Sequence, residues 1–354
     1  MTMRWFGAEK DTVTLEQIRQ VPGVTGVVPA LHDLPAGEPW PLDRILKMKA
    51  EIEAAGLTME CIESVNVHED IKLGAPSAEQ YIEAYKTSIR NLAKAGVKVI
   101  CYNFMPIFDW TRTDLAMRLT DGATCLSYDG AQIEGKSPED MFREIDENSN
   151  GYAMPGWETE RMGEIKELFQ KYKGVTDEDL WRNLQHFLEE IIPVCEECGV
   201  KMAIHPDDPP WGIFGLPRII TDIKALRRFL KLVDSPCNGL TFCTGSLGAS
   251  KDNDLPAMIR EVGDRIYFAH LRNVRLRAGD SMKPPISQRT DHSICMKSSE
   301  LCRMWASTAI SDPTTGVCSG MKSPAQATGS MTGPWARRIS TACGRPLPKA
   351  DNVP

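Results

Sequence analysis

The strict alternation of short apolar runs with longer amphipathic segments constrains the fold of this chain most. Strand-like runs lie at 26–30, 59–65, 98–104, 201–205, 239–243 and 265–272, and helical patterns lie between them near 42–55, 78–95, 177–198, 222–232 and 253–262. Because strands that alternate with helices usually pair in parallel, the pattern predicts a parallel sheet with helices packed on it.

Three glycines mark the junctions of this pattern. Gly56, Gly96 and Gly199 each follow a helical segment and stand just before the next strand-like run. A glycine in the left-handed conformation commonly ends a helix, and the repeated junction favours a barrel over an open sheet. The predicted fold class is an α/β TIM barrel over residues 1–280 with six recognisable βα units, in which the last two strands of a complete barrel are missing.

Composition excludes several function classes. The chain has 354 residues, of which 42% are hydrophobic, and this is enough for a large core. A net charge of -7 without a basic stripe argues against a nucleic-acid partner. No run approaches the roughly 20 apolar residues of a membrane span, and the amino terminus lacks the apolar core of a signal peptide. Since the eleven cysteines are then expected to be reduced thiols, we expect a cytoplasmic protein with no membrane partner.

One Cys-x-x-Cys pair, Cys195 and Cys198, raises the alternative of a zinc or redox site. Such a site needs a second cysteine pair or a thioredoxin-like strand beside it, and the sequence has neither. We therefore interpret the pair as the end of a helix that Gly199 closes.

Residues of the metal-ligand type recur at the ends of successive strands. His205, Cys243 and His270 each end a strand-like run, and a helix separates each from the next. In a parallel barrel these ends converge on one mouth, where imidazole and thiolate can hold a metal ion and leave positions open for substrate oxygens. The alternative is that all three are buried structural residues.

Other polar residues near strand ends are candidates for substrate binding. Asn103 lies at a strand end, Arg112 lies at the entrance of the predicted lid, and Arg272 stands two residues after His270. Amide and guanidinium groups suit hydroxyls and carboxylates. Each residue has the alternative of a structural hydrogen bond or salt bridge.

Five further residues are candidates for catalytic groups. Asp207 and Asp208 follow His205 and are expected to orient it or to contact substrate, with turn formation as the alternative. His68 and Glu69 follow the second predicted strand, and His32 is a weaker candidate.

The segment 107–174 interrupts the alternation and is rich in Gly, Asp, Glu and Ser. Insertions after a barrel strand lie over the active-site face, so we interpret it as a lid or subdomain. A disordered surface loop is the alternative.

Motifs spread from residue 3 to about residue 280 carry a family resemblance. They are Met3-Arg4-Trp5-Phe6-Gly7, Pro22-Gly23-Val24-Thr25-Gly26-Val27-Val28, Glu63-Ser64-Val65-Asn66-Val67-His68-Glu69, Cys101-Tyr102-Asn103-Phe104-Met105-Pro106, Asp109-Trp110-Thr111-Arg112-Thr113, Ile204-His205-Pro206-Asp207-Asp208-Pro209-Pro210, Phe242-Cys243-Thr244-Gly245-Ser246-Leu247-Gly248 and His270-Leu271-Arg272-Asn273. With these motifs the chain resembles the mannonate dehydratase family. One departure is Asn66, where the family would have proline.

The resemblance implies a xylose-isomerase-like TIM barrel and a lyase that converts D-mannonate to 2-dehydro-3-deoxy-D-gluconate and water in glucuronate breakdown. It also implies a divalent ion, Mn²⁺ or Fe²⁺, held by two histidines, a cysteine and an aspartate. His205, Cys243 and His270 match the first three ligands. The partner is then a small sugar acid, and a homo-oligomer is left open.

The fourth ligand belongs to an Arg-Pro-Asp-His-Gly-Arg motif that this chain lacks. Residues 281–354 contain no Phe or Tyr, few Leu and Val, and many Ser, Thr and Pro. This composition is typical of a disordered tail, and we expect it to build no barrel strand. Yet a barrel cut after six strands leaves an open edge, which a folded protein tolerates poorly.

The genetic code offers another explanation for this tail. When the last base of each codon is joined to the first two of the next, the pairs Met282-Lys283, Met296-Lys297 and Met321-Lys322 all give Glu. Degenerate codons between Ala309 and Cys318 then permit Tyr-Ile-Arg-Pro-Asp-His-Gly-Arg-Met, which contains the missing motif. We therefore predict that a base lost near the codon of Asp280 put residues 281–354 out of frame, and that the chain as written has little or no activity.

Two rival functions remain. A xylose-isomerase-like sugar isomerase or epimerase would use the same barrel, but its metal shell is typically Glu, Asp and His, so Cys243 counts against it. The chain could also be a truncated product without catalytic function. Metal content and turnover distinguish these possibilities.

Overall fold

The computed structural model describes residues 1–119, 122–136, 140, 162–272, 274–276, 286–287 and 317–320. The strands within these residues are β1 (Thr2–Arg4), β2 (Gly26–Val28), β3 (Cys61–Glu63), β4 (Val99–Tyr102), β5 (Asp114–Arg118), β6 (Thr124–Tyr128), β7 (Lys201–Ile204), β8 (Asn238–Cys243), β9 (Ile266–His270), β10 (Arg275–Leu276), β11 (Ile286–Ser287) and β12 (Val317–Gly320). The helices are α1 (Leu15–Arg19), α2 (Leu42–Ala54), α3 (Glu69–Leu73), α4 (Ala78–Lys94), α5 (Gly130–Ile133), α6 (Met162–Lys171), α7 (Asp177–Cys198), α8 (Ile223–Leu232), α9 (Thr244–Leu247) and α10 (Leu255–Val262).

The main sheet is parallel and has the strand order β2-β1-β12-β9-β8-β7-β4-β3. Its two ends meet, because the Val27 amide donates to the Thr58 carbonyl at 3.0 Å and the Thr58 amide donates to the Thr25 carbonyl at 3.0 Å. A parallel sheet that returns to its first edge is a barrel, and the helices between its strands make it the predicted TIM barrel.

Two strands of this sheet were not part of the predicted pattern. β1 is only three residues long, too short to stand out as an apolar run. The predicted pattern has six strands, and a complete barrel has eight. Since β1 is the seventh, only one strand remains to come from the residues after 280. β12 takes that place, paired with β9 and β1, and it corrects the expectation that residues 281–354 build no barrel strand. Unpaired backbone groups on the facing edges of β1 and β9 can accept a short extended segment whatever its side chains.

The helices follow the predicted pattern closely. α7 begins with a capping box at Thr176, whose side chain accepts from the Asp179 amide, and it ends at Gly199. Gly56, Gly96 and Gly199 have positive φ angles of 75, 83 and 67°. The left-handed junctions predicted at these glycines are therefore confirmed.

The core lies between the sheet and its helices. α7 buries an apolar face that includes Leu184, Phe187 and Leu188, each with no exposed surface. A fully buried side chain of this kind stabilises the fold by about 1.5–3 kcal/mol relative to an exposed one. A separate group inside the barrel includes Cys61, Cys101 and Phe268. Among the described helices, none is long and apolar enough to cross a membrane.

The described part of the insertion 107–174 has its own small core. β5 and β6 form an antiparallel hairpin, which β11 and β10 extend into a second sheet. A second apolar cluster joins the insertion to loops of the barrel, and it includes Phe108, Tyr128, Ile165 and Leu216. The Trp211 indole, on a barrel loop, donates to the Tyr128 hydroxyl at 3.1 Å. The insertion therefore packs on the face where the barrel strands end.

Candidate metal centre

Three ligand-type side chains meet at the carboxyl ends of adjacent strands. His205 directly follows β7, Cys243 ends β8 and His270 ends β9, where Cys243 and His270 are paired in register. One ligand atom from each of the three lies within 4.8 Å of the others. Cys243 and His270 have no exposed surface, whereas His205 is half-buried. We call His205, Cys243 and His270 the ligand triad.

In each histidine of the ligand triad, one ring nitrogen lies within hydrogen-bond distance of an oxygen atom that orients the ring. His205 Nδ1 lies 2.7 Å from the Pro206 carbonyl oxygen, which accepts a hydrogen bond only from a protonated Nδ1. His205 Nε2 is then the nitrogen available to bind a metal ion, and it lies 3.2 Å from His270 Nδ1. His270 Nε2 lies 3.1 Å from Glu63 Oε2. A carboxylate behind a histidine fixes its ring and increases its basicity.

Glu63 contacts the ligand triad and was not among the site residues predicted from the sequence. It ends β3, and the rule that strand ends converge on one mouth applies to it as it does to His205. Burial alone would raise the pKa of Glu63, but His270 and Arg4 hold it well below its usual range. Burial likewise would lower the pKa of His270, and Glu63 and Cys243 raise it to about 9. The pair therefore favours an ionised carboxylate beside the imidazole.

Cys243 has two polar neighbours besides the histidines. Arg272 donates to Cys243 Sγ at 2.8 Å, and the Ser246 hydroxyl oxygen lies 3.1 Å from it. Burial would raise the pKa of the Cys243 thiol, but Arg272 and His205 lower it well below its usual value. The thiolate is the form that binds a metal. Ser246 is a second residue that sequence reasoning missed; it comes into contact because the short helix α9 begins directly after Cys243.

Asp208 connects the ligand triad to the insertion. Its carboxylate accepts two hydrogen bonds from Arg112, at 2.8 and 3.0 Å, and others from Arg272 at 2.9 Å and Ser246 at 3.0 Å. Burial opposes ionisation of Asp208, yet Arg112 and Arg272 hold its pKa well below its usual range. The arrangement is a buried ion network with two cations and two anions, counting the Cys243 thiolate.

The other candidates lie in structural contacts. Asp207 Oδ2 accepts from the Ile220 amide at 2.9 Å, and burial raises the pKa of this carboxyl. Asn103 donates to Asp109 at 3.0 Å. His68 caps α3 by accepting from the Asp70 amide at 3.1 Å. Its ring stacks on Tyr81 with centroids 3.6 Å apart. Within the described residues, these contacts do not include the ligand triad.

His32 faces Arg4 rather than the ligand triad. Its Nε2 lies 3.5 Å from an Arg4 guanidinium nitrogen, and its ring lies 5.2 Å from the Phe6 ring. Burial lowers the pKa of His32 to about 3, with the Arg4 cation as a further cause. A neutral His32 is therefore the stable form in the folded protein.

The donor set of the ligand triad fits a divalent cation. Two imidazole nitrogens and a thiolate suit a borderline transition metal, and three ligands on one side leave positions open for oxygen atoms. A second observation agrees with a ligand near this point: among the described residues, the buried Arg272 Nε has no hydrogen-bond partner. Because a buried N–H without a partner is costly, a bound oxygen at this position would satisfy it.

Comparisons with known proteins cover most of the chain. A profile of the family described as D-mannonate dehydratase (UxuA) matches residues 1–297. A curated mannonate dehydratase from Thermotoga petrophila is 60% identical over 277 residues, which are 78% of this chain and 77% of that protein. The crystal structure of mannonate dehydratase from Streptococcus suis serotype2 matches with a TM-score of 0.78 at 41% identity, over 91% of this chain and 84% of that one.

A more distant structure is similar in fold only. A xylose isomerase domain protein from Planctomyces limnophilus matches with a TM-score of 0.50 at 11% identity, over 97% of this chain and 93% of that one. This likeness agrees with the xylose-isomerase-like barrel predicted from the sequence. The profile match includes all three residues of the ligand triad.

Proposed function

The chain belongs to the D-mannonate dehydratase family, and on this premise we propose that its ligand triad holds a divalent cation at which D-mannonate loses water to form 2-dehydro-3-deoxy-D-gluconate. The observation that carries this proposal is the meeting of His205, Cys243 and His270 ligand atoms within 4.8 Å at three neighbouring strand ends. The proposed ion is Mn²⁺ or Fe²⁺, since both accept mixed nitrogen, sulfur and oxygen ligands.

The reaction needs three things from the site. The bound ion supplies a Lewis acid for the carboxylate and hydroxyl oxygens of the substrate. A base must take the C2 proton, and an acid must protonate the C3 hydroxyl as it leaves. Asp208 is a poor base, because two arginines stabilise its ionised form. The family resemblance instead assigns the acid and base work to a histidine of the Arg-Pro-Asp-His-Gly-Arg motif.

Arg272 is the best placed of the three proposed substrate-binding residues. It contacts Cys243, and its buried Nε has no partner among the described residues. The guanidinium of Arg272 would suit a substrate carboxylate. Both terminal nitrogens of Arg112 donate to Asp208, and the Asn103 amide donates to Asp109. We therefore propose that Arg112 and Asn103 position neighbouring side chains of the site rather than bind the substrate.

We further propose that the chain as written is impaired, because residues 281–354 are out of frame. The codon argument supports this, and the profile match stops at residue 297, which leaves residues 298–354 outside it. The out-of-frame segment lacks the aspartate that the family resemblance implies as the fourth ligand. A reducing, cytoplasmic setting is part of the proposal, since Cys243 must be available as a thiolate.

The test compares the chain as written with a frame-restored version. The restored protein is expected to bind about one Mn²⁺ or Fe²⁺ per chain and to dehydrate D-mannonate, while the chain as written turns over at least a hundredfold more slowly. Cys243→Ser is expected to remove most of the metal, measured by plasma mass spectrometry, because it replaces the thiolate. Cys198→Ser, at the end of α7 and outside the ligand triad, is the matched control.

Three outcomes would contradict these proposals. Stoichiometric metal in the restored Cys243→Ser, His270→Ala double variant would remove the ligand triad as the binding site. Equal turnover by both versions would refute the impairment. Turnover of an aldose or ketose, without dehydration of D-mannonate, would favour the isomerase alternative.

A further inference from the structure

Glu69 begins α3, outside the ligand triad, and joins two distant parts of the chain. Its Oε2 accepts hydrogen bonds from the Ile107 amide at 3.2 Å and from the Tyr172 hydroxyl at 2.6 Å. Ile107 and Tyr172 lie at the two ends of the insertion 107–174. One carboxylate oxygen therefore fastens both ends of that insertion to the barrel.

The second oxygen of Glu69 is also engaged. Oε1 accepts from Lys72 Nζ at 2.6 Å, and Lys72 Nζ also donates to the Met105 carbonyl at 2.7 Å. The side chains of Glu69 and Lys72 are only 16% and 5% exposed. Water and salt screen such a pair little, so the contacts hold the 105–107 loop firmly. Burial, and then Glu69, raises the pKa of Tyr172 well above its usual value, which keeps the phenol protonated as a donor.

The backbone at Ile107 is strained. Its φ angle is +61°, in the left-handed region that a β-branched residue rarely adopts. Such a conformation is unfavourable and persists only when neighbouring contacts enforce it. The Glu69 carboxylate holds the Ile107 amide, and the buried Arg218 donates to the following carbonyl, that of Phe108, at 2.9 Å.

The strained turn leads directly to the ion network of the site. Four residues after Ile107, the Thr111 amide donates to the Asp208 carbonyl at 3.1 Å. Arg112 then pairs with the Asp208 carboxylate, which also contacts Arg272 beside Cys243. The position of Asp208 and Arg272 thus depends on how the chain leaves the turn at Ile107.

We propose that Glu69 is a positioning residue: it holds both ends of the insertion and the strained turn at Ile107, so that Arg112 meets Asp208 and Arg272 stays aimed at the substrate. The statement about substrate rests on the proposed function. The statement about the two ends of the insertion does not, and it can be tested in the chain as written.

Two variants separate the contacts of Glu69. Tyr172→Phe removes one hydroxyl and leaves the Lys72 pair intact, so it is expected to fold. Glu69→Gln keeps the shape but offers one acceptor oxygen where the carboxylate offers two. Glu190→Gln is the matched control, because Glu190 pairs with Lys86 at 2.6 Å on the surface of α7, with 38% of its side chain exposed.

Hydrogen exchange measured by mass spectrometry is the primary readout. Both variants are expected to exchange at least tenfold faster in peptides covering 104–113 and 168–175, while the barrel strand β8 and the Glu190→Gln control keep wild-type rates. In the frame-restored protein, Tyr172→Phe is expected to raise KM for D-mannonate about tenfold with kcat within twofold, which a general loss of stability would not produce.

Uniformly faster exchange, including β8, would show that Glu69 only stabilises the fold and would overturn the proposal. Unchanged exchange at 104–113 and 168–175 would overturn it as well. Absence of turnover in the restored protein would count against the proposed function, and the exchange result would still decide the role of Glu69.

Discussion

His270 has a polar partner at both ring nitrogens, and this explains how a buried imidazole takes a defined orientation within the ligand triad. Nε2 is directed to Glu63, and Nδ1 is directed to His205. The contribution of Glu63 is electrostatic as well as geometric, because its buried carboxylate raises the pKa of His270 to about 9. A change confined to this carboxylate therefore alters the electrostatic environment of His270 without removing its imidazole.

Glu63→Gln in the frame-restored protein is expected to weaken metal binding by roughly 10–100-fold, since the amide keeps a polar contact with His270 but supplies no charge. Metal competition titration measures this. The control is Glu60→Gln, one residue before β3, which loses an exposed pair with Lys98. Equal affinities in the two variants would show that Glu63 does not act through His270.

His32 predicts a pH dependence of stability. Its folded pKa of about 3 lies below the usual value of about 6.5, so the unfolded chain binds the extra proton between these pH values. The contribution to stability is therefore fully present above pH 6.5 and is lost as the pH falls toward 3. The physical cause is the transfer of a second cation to a buried position beside Arg4.

The measurement is the free energy of unfolding against pH for wild type and His32→Gln. Wild type is expected to lose stability faster below pH 6.5, by at most about 1.4 kcal/mol per pH unit, the value for one proton. His186→Gln provides the control, because His186 is exposed and pairs with Glu79. Parallel curves for wild type and His32→Gln between pH 6.5 and 3 would contradict the assignment.

At the scale of elements, the helices end where the backbone needs a glycine. α7 stops at Gly199 with φ of 67°, and the Gly199 amide donates back to the helix carbonyls. No atom lies within 4 Å of a Cβ built at this position, so a side chain would meet no neighbour there. The free-energy cost of a substitution at Gly199 then comes only from the left-handed backbone conformation.

Gly199→Ala is expected to destabilise the protein by about 1–2 kcal/mol, the cost of a left-handed backbone for an L-residue. Chemical denaturation measures this change. Gly163→Ala is the matched control: Gly163 lies in α6, also has free space around its Cβ position, and does not have a positive φ. Alanine there is expected to be neutral or stabilising by about 0.5–1 kcal/mol. The same loss in both variants would refute the backbone explanation.

At the scale of the whole molecule, the parallel barrel explains why residues far apart in the chain share one site. Glu63, His205, Cys243 and His270 stand at or just after the carboxyl ends of β3, β7, β8 and β9. All strands of the main sheet run in the same direction, so these ends lie at the same mouth. The described part of the insertion 107–174 contacts this mouth at Asp208 and at the loop that carries Trp211.

The sequence alone predicted the barrel, its helices and the meeting of His205, Cys243 and His270 at its mouth. Hydrophobic periodicity and glycine junctions are local signals. A residue at the carboxyl end of a strand in a parallel barrel lies at the mouth of the barrel, whichever residues surround it. The sequence failed to show β1 and β12, whose short segments carry no periodic pattern. It also missed Glu63, although the same strand-end rule applied, because a single carboxylate after Cys61-Ile62 gave no reason to prefer it.

Which polar residues contact one another could be seen only in the folded structure. Asp207 and Asp208 are neighbours in sequence, yet one bonds the Ile220 amide and the other joins Arg112, Arg272 and Ser246. His68 and Glu69 are also neighbours, and one caps a helix while the other fastens the insertion. These partners of Asp208 and Glu69 lie 38 to 103 residues away along the chain, and no local pattern specifies such contacts.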